Sequence, residues 1–238
     1  MTWWTDLYDD ALADVLLEQD DVDATIRFLV ATLGIEPGSR VFDQCCGIGR
    51  LAVPLAAWGA EVIGVEQAPR YVERARARGS AATFVVGDAF EYVPPTCTAA
   101  FNWWTSFGYL ADDDGNVRMI SRAFEALAPG GRFALDFLNV PGVLARFRPH
   151  EITRRDGIVM LRESRLDLAR GVIHKVWTFV LPSGERVERP STVKLYTPDR
   201  LADLFSRAGF IDLRVLGSID ASPIALESPR CIVVGTRP

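Results

Sequence analysis

A loop of small residues that follows a short apolar run is the part of this chain best suited to chemistry. The run Arg40–Asp43 ends in a carboxylate, and the next seven residues include Gly47 and Gly49 before an apolar stretch, Leu51–Trp58. Glycines allow a ligand to approach the backbone closely, and free N–H groups at a helix N-terminus bind polar ligand groups. The segment therefore predicts a strand–loop–helix unit that binds a nucleotide-type cofactor.

The loop by itself leaves the cofactor open. Residues 47–52 satisfy the dinucleotide pattern G-x-G-x-x-G/A, which alone is a weak signal. Asp43 would repel a pyrophosphate, but it suits an ammonium group or a backbone N–H. Asp88 is a second acid, close to the aromatic residue Phe90, and it follows the third predicted strand of the chain. These carboxylates argue against NAD, and a nicotinamide-binding oxidoreductase stays as one alternative.

The elements around the loop alternate between helix and strand. Apolar spacing and turn residues predict helices at 6–19, 21–33, 51–58, 69–78 and 112–127, and strands at 40–43, 61–66, 82–86, 99–103 and 132–137. We expect Pro129-Gly130-Gly131 to end the last of these helices. Such alternation is typical of a parallel sheet covered on both faces, and its ligands bind beyond the carboxyl ends of the strands.

The alternation stops after residue 150. Extended runs at 158–167, 171–181 and 185–195 are separated by glycine-containing turns and predict an antiparallel meander. A last helix is predicted between Thr197 and Gly209, before strands at 211–216 and 230–235. We expect a single domain with four parts: an N-terminal helical lid (1–36), a cofactor-binding core (37–137), an antiparallel insertion (138–196) and a closing segment (197–238).

Composition excludes several classes of protein. Among the 238 residues, 49% are apolar, and the net charge of −5 disfavours a sequence-independent grip on nucleic acid. No apolar run approaches the ~20 residues that cross a bilayer, and no basic-then-apolar leader marks the N-terminus. The four cysteines have neither metal-ligand nor disulfide spacing, so we expect no metal site and a reduced, cytoplasmic protein.

In their order and spacing, the motifs of residues 40–137 resemble the class I S-adenosylmethionine-dependent methyltransferases. The loop Asp43–Gly49 resembles the family's acidic, glycine-rich motif, with Cys45 at the first glycine position. The other matching motifs are Val65-Glu66, Gly87-Asp88-Ala89, Thr105–Tyr109 and Leu127–Gly131. The resemblance implies a Rossmann-like, doubly wound α/β sheet of seven mostly parallel strands with an antiparallel last strand, here with N-terminal helices and the inserted meander.

The resemblance also implies S-adenosylmethionine as cofactor and S-adenosylhomocysteine as product. Glu66 would accept hydrogen bonds from both ribose hydroxyls, and Asp88 would accept one from the adenine amino group. Gly47 and Gly49 would let the methionine portion lie against the main chain. The predicted cofactor-binding residues are Asp43, Cys45, Gly47, Gly49, Glu66, Gln67, Asp88, Ala89, Phe90 and Trp103.

Aromatic and polar residues on either side of these motifs are candidates for the acceptor pocket. In the resembling family an N-terminal helix covers the cofactor and the segment after the fourth strand borders the methyl group. The predicted pocket residues are Trp4, Tyr8, Trp104, Tyr109, Asn139 and Tyr196. Asn139 is equally compatible with a turn and Tyr196 with core packing, whereas Phe107 is expected in the core. Trp3 and Trp4 are adjacent, so at least one should cover a ligand or another subunit.

No catalytic base stands out, because methyl transfer needs one only if the nucleophile arrives protonated. Tyr8 and Asn139 are the candidates; His150, predicted in a loop, and His174, in the meander, are weaker ones. The adjacent Cys45-Cys46 pair is better explained by small size than by redox chemistry.

The substrate class follows from comparison with two branches of the family. Asn102-Trp103-Trp104-Thr105 lacks the prolines of the Asn-Pro-Pro-aromatic motif of nucleic-acid amino methyltransferases, so we expect no nucleic-acid partner. The N-terminal helix and meander resemble the small-molecule branch, which includes amino-sugar N-methyltransferases. We expect methyl transfer to an N, O or C nucleophile of a small molecule, mainly by proximity and orientation, in a monomer or homodimer without a membrane partner. The alternative to both enzymes is an adenosyl-ligand binding protein with no or different sulfonium chemistry.

Overall fold

The computed structural model describes residues 3–9, 12, 13, 15 and 22–238. Its named helices are α1 (Trp3–Leu7), α2 (Val22–Leu33), α3 (Ala52–Ala57), α4 (Pro69–Ala77), α5 (Asp113–Ala126), α6 (Val140–Ala145) and α7 (Pro198–Ala208). The strands are β1 (Arg40–Gln44), β2 (Glu61–Glu66), β3 (Thr83–Val86), β4 (Cys97–Asn102), β5 (Leu127–Phe137), β6 (His150–Arg155), β7 (Ile158–Asp167), β8 (Val172–Val180), β9 (Arg186–Lys194), β10 (Ile211–Leu216) and β11 (Cys231–Thr236).

Seven of these strands form one sheet in the order β10-β11-β5-β4-β1-β2-β3. The pairs from β5 to β3 are parallel, whereas β11 is antiparallel to both of its neighbours. The predicted fold class is therefore confirmed. The order of the strands reverses between β1 and β4, and in a doubly wound sheet this is the place where ligands bind.

The main sheet is buried on both faces, as its continuous apolar runs require. Successive residues of a strand point to opposite faces, so Val41 and Phe42 enter two different apolar clusters, as do Phe133 and Ala134. The cluster that contains Phe42 also includes residues of the meander, such as Ile173. This shared core is what the proposed single domain requires.

Strands β6 to β9 form a second, antiparallel sheet, called the cap sheet below. One of its faces packs on Leu7 of α1 through an apolar cluster that includes Trp177 and Phe179. The Arg189 side chain of β9 donates a hydrogen bond to the backbone oxygen of Asp6 at 3.0 Å. The cap sheet therefore holds the N-terminal helix in place.

The N-terminal helix predicted over 6–19 is wrong at its start. Helix α1 begins at Trp3 and ends at Leu7, and Tyr8 and Asp9 form a bend. The Asp9 side chain accepts a hydrogen bond from the Leu12 N–H at 3.0 Å, as a capping residue does. This capping makes Asp9 the start of a new helical segment that includes residues 12, 13 and 15. The rest of the predicted helix, and part of the proposed lid, lies outside the described residues.

Three other boundaries differ from the prediction. His150 begins strand β6 rather than lying in a loop, because residues 150–155 pair with β7 and complete a four-stranded meander. Helix α6, one and a half turns long with Pro141 in its first turn, was not predicted. Strand β5 already begins at Leu127, where Leu127 pairs with Cys97 before a register shift, so Pro129–Gly131 lie inside it.

Candidate active site

The loop after β1 is attached to the end of β2 by backbone hydrogen bonds. The Cys46 N–H donates to the Val65 oxygen at 2.9 Å, and the Gly47 N–H donates to Glu66 Oε2 at 3.1 Å. Cys45 and Gly47 both have positive φ angles, 66° and 54°. Glycine adopts this conformation without strain, whereas Cys45 pays a steric cost of about 1–2 kcal/mol. The compact loop places its carbonyls and N–H groups beside both strand ends.

Gly49 packs closely against two side chains of neighbouring elements. A Cβ atom on Gly49 would lie 2.9 Å from the Phe84 ring and 3.0 Å from the Ala75 Cβ. The residue therefore lets the loop pack closely on α4 and β3, and it does not line the cavity that the loop encloses. This packing explains the glycine at this position, and its role as a cofactor contact stays a prediction.

The other predicted cofactor residues surround one cavity at the switch point, called the inner cavity below. From the predicted set, it is lined by Asp43, Cys45, Gly47, Glu66, Gln67, Asp88, Ala89, Phe90 and Trp103, together with Trp4, Tyr8, Trp104 and Tyr109. The Asp88 side chain is exposed at its edge, and its Oδ1 accepts the Phe90 N–H at 2.9 Å.

Asp43 and Glu66 are two buried acids that face this cavity. Asp43 is 3% exposed, and none of the described residues donates a hydrogen bond to its carboxylate. Glu66 is held by the Gly47 N–H and by the Ala68 N–H, which reaches its Oε1 at 2.9 Å. Burial, followed by the Glu66 charge, raises the pKa of Asp43, and burial raises the pKa of Glu66. A cationic or hydroxyl-bearing ligand would relieve both acids.

Aromatic side chains of the N-terminus close the inner cavity. The Tyr8 hydroxyl hydrogen-bonds the Tyr109 hydroxyl, and the rings of Trp3 and Trp4 lie 4.8 and 5.6 Å from the Tyr109 ring. Trp4 lines the inner cavity, and Trp3 lines a second cavity on the other side of Tyr8 and Tyr109. Both adjacent tryptophans therefore cover a cavity.

The second, or middle, cavity has a volume of about 620 Å³ and extends between the main sheet and the cap sheet. It shares Tyr8, Trp103, Trp104 and Tyr109 with the inner cavity. These four aromatic residues form the aromatic wall between the two spaces. Two ligands, one in each cavity, would therefore meet at this wall, and a chemical group could be transferred directly between them.

The turn that carries Trp104 is held by a buried acid that the sequence did not reveal. Trp104 and Thr105 both have positive φ angles, 57° and 61°, which are unfavourable for bulky residues. Asp136 at the end of β5 accepts the Trp104 N–H at 2.9 Å through its carboxylate and the Thr105 N–H at 3.2 Å through its carbonyl. Arg230 donates to both Asp136 oxygens and to Thr105 Oγ1. This network fixes the strained turn.

Arg50 and Tyr71 are among the lining residues that the sequence analysis missed. The Arg50 guanidinium lies 3.4 Å above the Trp104 ring, so it orients that ring by a cation–π contact. Tyr71 lines the inner cavity and donates its hydroxyl to the Asp9 oxygen at 2.7 Å. Both positions follow a predicted strand by a few residues, and this placement is the signal that could have identified them.

Asn139 and Tyr196 line neither the inner nor the middle cavity, so their predicted place beside the methyl-transfer site is corrected; Asn139 lines a third cavity instead. The Asn139 amide donates to three carbonyls, those of Ala225, Leu226 and Ser228, at 2.9 to 3.1 Å. This amide fastens the loop before β11 and leaves no donor for a substrate. Tyr196 is 2% exposed and hydrogen-bonds Asn116 and Asp113, so it belongs to the core.

The histidines and cysteines have structural environments. The His174 Nδ1 bonds Thr192 Oγ1 at 2.9 Å, and His150 lies 3.7 Å from Glu163 on the exposed side of the cap sheet. All four cysteines are free. Burial raises the pKa of both the Cys45 and Cys46 thiols, so neither is an activated nucleophile.

Asn102, at the end of β4, is buried and makes hydrogen bonds inside the protein. Its amide nitrogen donates to Gln44 Oε1 and to the Ser106 oxygen, both at 3.2 Å. Gln44 in turn donates to the Met119 oxygen at 2.9 Å. These buried amides fix the start of the segment 103–109. This structural role of Asn102 does not involve a nucleic-acid substrate.

A protein-family model described as a methyltransferase domain matches residues 41–131. This part of the chain is therefore similar to a methyltransferase domain. The match covers the loop after β1, all of β2 to β4, helix α5 and the first part of β5. The predicted resemblance to class I methyltransferases is confirmed, and the match includes each of the three acids at the inner cavity.

One curated relative of this methyltransferase domain is an uncharacterized methyltransferase of Synechocystis. It is 36% identical over 111 residues, which cover 46% of this chain and 51% of the relative. The chain thus spans about half the length of this relative, and only 12% of a Shewanella sediminis 23S rRNA methyltransferase that it also matches.

Solved structures extend the similarity to the whole methyltransferase fold. The CcbJ methyltransferase from Streptomyces caelestis matches with a TM-score of 0.80 and 22% identity, over 97% of each chain. The SAM-bound amino pentose methyltransferase CalS10 from Micromonospora echinaspora matches with a TM-score of 0.68 and 20% identity, over 92% of this chain and 91% of that one. At this identity the likeness establishes a common fold, including the cap sheet.

The part of the chain that the structure describes contains no helix long and apolar enough to cross a membrane. Among the same residues, no group of three His, Cys, Asp or Glu side chains is arranged to hold a metal ion.

Proposed function

We propose that this protein transfers a methyl group from S-adenosylmethionine to a small-molecule acceptor. The methyltransferase domain and the SAM-bound neighbour support the cofactor, and the sugar-modifying neighbours support a small acceptor. The observation that carries the proposal is the pair of buried acids, Asp43 and Glu66, which face the inner cavity at the switch point of the sheet.

The acids fit the chemistry of this cofactor better than that of NAD. S-Adenosylmethionine carries an ammonium group, a sulfonium and a ribose diol, and each of these groups interacts favourably with a carboxylate. A dinucleotide would bring two phosphate charges toward Asp43 and Glu66, where Coulomb repulsion in a poorly solvated site is strong. The loop N–H of Gly47 is already engaged by Glu66, so it is not free to bind a phosphate.

The bound cofactor supplies an electrophilic methyl group, and the chain's own residues supply position. Glu66 has both oxygens held by backbone N–H groups, so its remaining lone pairs have fixed directions and would accept hydrogen bonds from the ribose hydroxyls. Trp104 and Tyr109 form the border across which the acceptor approaches. Orientation of this kind can lower a barrier by about 7–11 kcal/mol.

The two hydroxyl groups of the aromatic wall are not bases. Burial raises the pKa of the Tyr8 and Tyr109 hydroxyls, so both stay protonated at neutral pH. Tyr8, the earlier catalytic candidate, is therefore a hydrogen-bond donor rather than a base. We propose that the acceptor enters as a neutral amine or another free nucleophile, for which no proton has to be removed first.

The side chains of Trp4 and Tyr8, which close the inner cavity, have to move when the cofactor enters. The inner cavity measures about 90 Å³, whereas sites for ligands of this size usually measure ~300–1,000 Å³. Trp4 and Tyr8 close it from a five-residue helix and the bend that follows.

The proposed function is tested by equilibrium dialysis with labelled S-adenosylmethionine, S-adenosylhomocysteine and NAD. We expect saturable binding of the two adenosyl compounds and none of NAD. Binding of NAD alone would replace the proposal with an oxidoreductase. Adenosyl binding without methyl transfer to any member of an amine, hydroxyl and carbon-acid acceptor panel would leave a binding protein.

Asp43 should make the ligand-free protein less stable as the pH rises. Its folded pKa lies above the ordinary value of 3.8, so folding favours the protonated carboxyl. This contribution is fully present below pH 3.8 and is lost as the pH rises through the raised folded pKa. Thermal unfolding of Asp43→Asn should show a flatter pH dependence than wild type. A parallel shift of the whole curve would contradict the assignment.

Trp104→Ala should impair turnover more than cofactor binding. The indole borders both cavities and stacks on Arg50, so its loss misplaces the acceptor while Asp43 and Glu66 remain. We expect kcat/KM to fall about 10–100-fold, with a change below about threefold in the Kd of S-adenosylhomocysteine. Trp58→Ala, on the surface after α3, is the matched control. Equal losses in both quantities would assign Trp104 to cofactor binding instead.

A further inference from the structure

The inner face of the cap sheet carries two cations that the methyl-transfer site does not use. Register pairs Arg162 of β7 with Trp177 of β8, and Lys175 of β8 with Ser191 of β9. Alternation along the strands therefore places Arg162, Lys175 and Trp177 on one face. All of them line the middle cavity opposite the aromatic wall.

Neither cation is fully compensated by the protein. Lys175 has no carboxylate within ion-pair distance among the described residues, and Arg162 pairs with Glu151 on one side only. The Arg162 Nε is buried and has no hydrogen-bond partner. The Arg162 Cζ and the Lys175 Nζ lie 5.4 and 5.5 Å from the centroid of the same Trp177 ring. Burial and the Arg162 charge lower the pKa of Lys175 to about 8.

The two cations also line a third, outer cavity of about 380 Å³. It adds Arg146 and Arg148, whereas Glu151 is the single acid among the described residues that line it, and that acid already pairs with Arg162. Positive charge thus accumulates here in a chain whose net charge is −5. By contrast, Arg230 in the middle cavity is compensated by the buried Asp136.

Like charges in a poorly solvated cavity are unfavourable unless an anion joins them. An arginine presents a planar pair of donors and a lysine a compact charge, and together they suit a carboxylate or a phosphate. The middle cavity is lined both by these cations and by Trp104 and Tyr109. A ligand that fills it would have one end at the methyl-transfer site and the other at Arg162.

We propose that the acceptor carries an acidic group, a carboxylate or a phosphate ester, which Arg162 and Lys175 bind while its nucleophile lies at the aromatic wall. This assignment rests on the proposed methyltransferase function for the role of the wall. The anion site itself depends only on the cap sheet. Arg146 and Arg148 extend the positive charge to the outer cavity and would attract the acidic end.

The experiment measures binding of two probe anions, pyrophosphate and glutarate, to the full chain saturated with S-adenosylhomocysteine. Isothermal titration at pH 7 and constant ionic strength should detect at least one of them. Arg162→Met and Lys175→Met should each weaken that probe about tenfold or more. Arg165→Met removes the same charge from the opposite face of the cap sheet and should change the Kd less than twofold.

Comparison of the probes separates the two sources of the acidic group. Pyrophosphate alone would assign a phosphate ester, and glutarate alone a carboxylate. Failure of wild type to bind either anion, or equal weakening by Arg165→Met, would overturn the proposal. Wild type that binds the anion but not S-adenosylhomocysteine would refute the methyltransferase function and leave the anion site in place.

A pH arm distinguishes binding by Lys175 from general attraction. The charged or titratable groups that face it are Arg162, Glu151, Arg146, Arg148, Asp136, Arg230, Tyr8 and Tyr109. Lys175 itself is the group expected to lose its charge between pH 7 and 9, since its pKa is about 8. Anion affinity should fall over this range in wild type and stay flat in Lys175→Arg. An equal fall in both would contradict a direct contact.

Discussion

Replacing Glu66 with glutamine is expected to weaken the binding of S-adenosylhomocysteine by about 1.5–3 kcal/mol, or roughly 10–150-fold. The carboxylate is 8% exposed, and its two oxygens accept the N–H groups of Gly47 and Ala68. Glutamine offers one acceptor and one NH₂ group, so it would lose a loop contact and one of the two proposed bonds to the ribose diol. Isothermal titration measures the change.

Glu61→Gln is the matched control for this experiment. Glu61 begins the same strand, but it is exposed and pairs with Arg40 at 3.1 Å. The control should leave the Kd within about twofold, because exposed ion pairs contribute only ~0–1 kcal/mol even to folding. Unchanged affinity in Glu66→Gln would remove Glu66 from the site, and equal losses in both variants would point to a long-range charge effect.

Replacing Asp136 with alanine is expected to destabilise the fold by about 3 kcal/mol, since it removes the buried carboxylate that binds the Arg230 guanidinium and the Trp104 N–H. Asp136 is 1% exposed, and its carboxylate bonds Arg230 and the Trp104 N–H. For a chain of this size we expect Tm to fall by about 6–12 °C. Turnover should fall further than stability predicts, because the strained turn at Trp104 loses its support.

A double-mutant cycle separates the two effects. Arg230→Met removes the cation, and the double variant Asp136→Ala/Arg230→Met removes both members of the ion pair. Thermal unfolding should be partly restored in the double variant relative to Asp136→Ala. The kcat should remain low, since Trp104 still lacks its acceptor. Recovery of kcat together with Tm would show that Asp136 acts on stability alone.

Local chemistry explains which parts of this molecule were predictable. The glycine-rich loop and the acids at the ends of β1 and β2 are encoded within a few residues, and the structure places Asp43 and Glu66 at one cavity. Strand β2 matches its predicted bounds at both ends, because its apolar run is flanked by clear turn residues. The meander was predictable in three of its four strands for the same reason.

The sequence was least informative where a residue type fits more than one role. A glycine can admit a ligand or a neighbouring side chain, and only the packing of Phe84 and Ala75 shows that Gly49 admits neighbouring side chains. Asn139 was compatible with a turn or a substrate contact until its amide was found on three carbonyls of a distant loop. Such choices depend on partners that lie far away in the sequence.

The sequence alone determined the class of the fold, the cofactor loop and the identity of the acids, since these follow from periodicity and from backbone preferences of neighbouring residues. Tertiary structure decided which side chains meet. Asp136 and Arg230 are 94 positions apart, and Arg162 and Lys175 share a face only because β7 and β8 pair in one register. Sheet register and packing set these distances, and no pattern within a single segment encodes them.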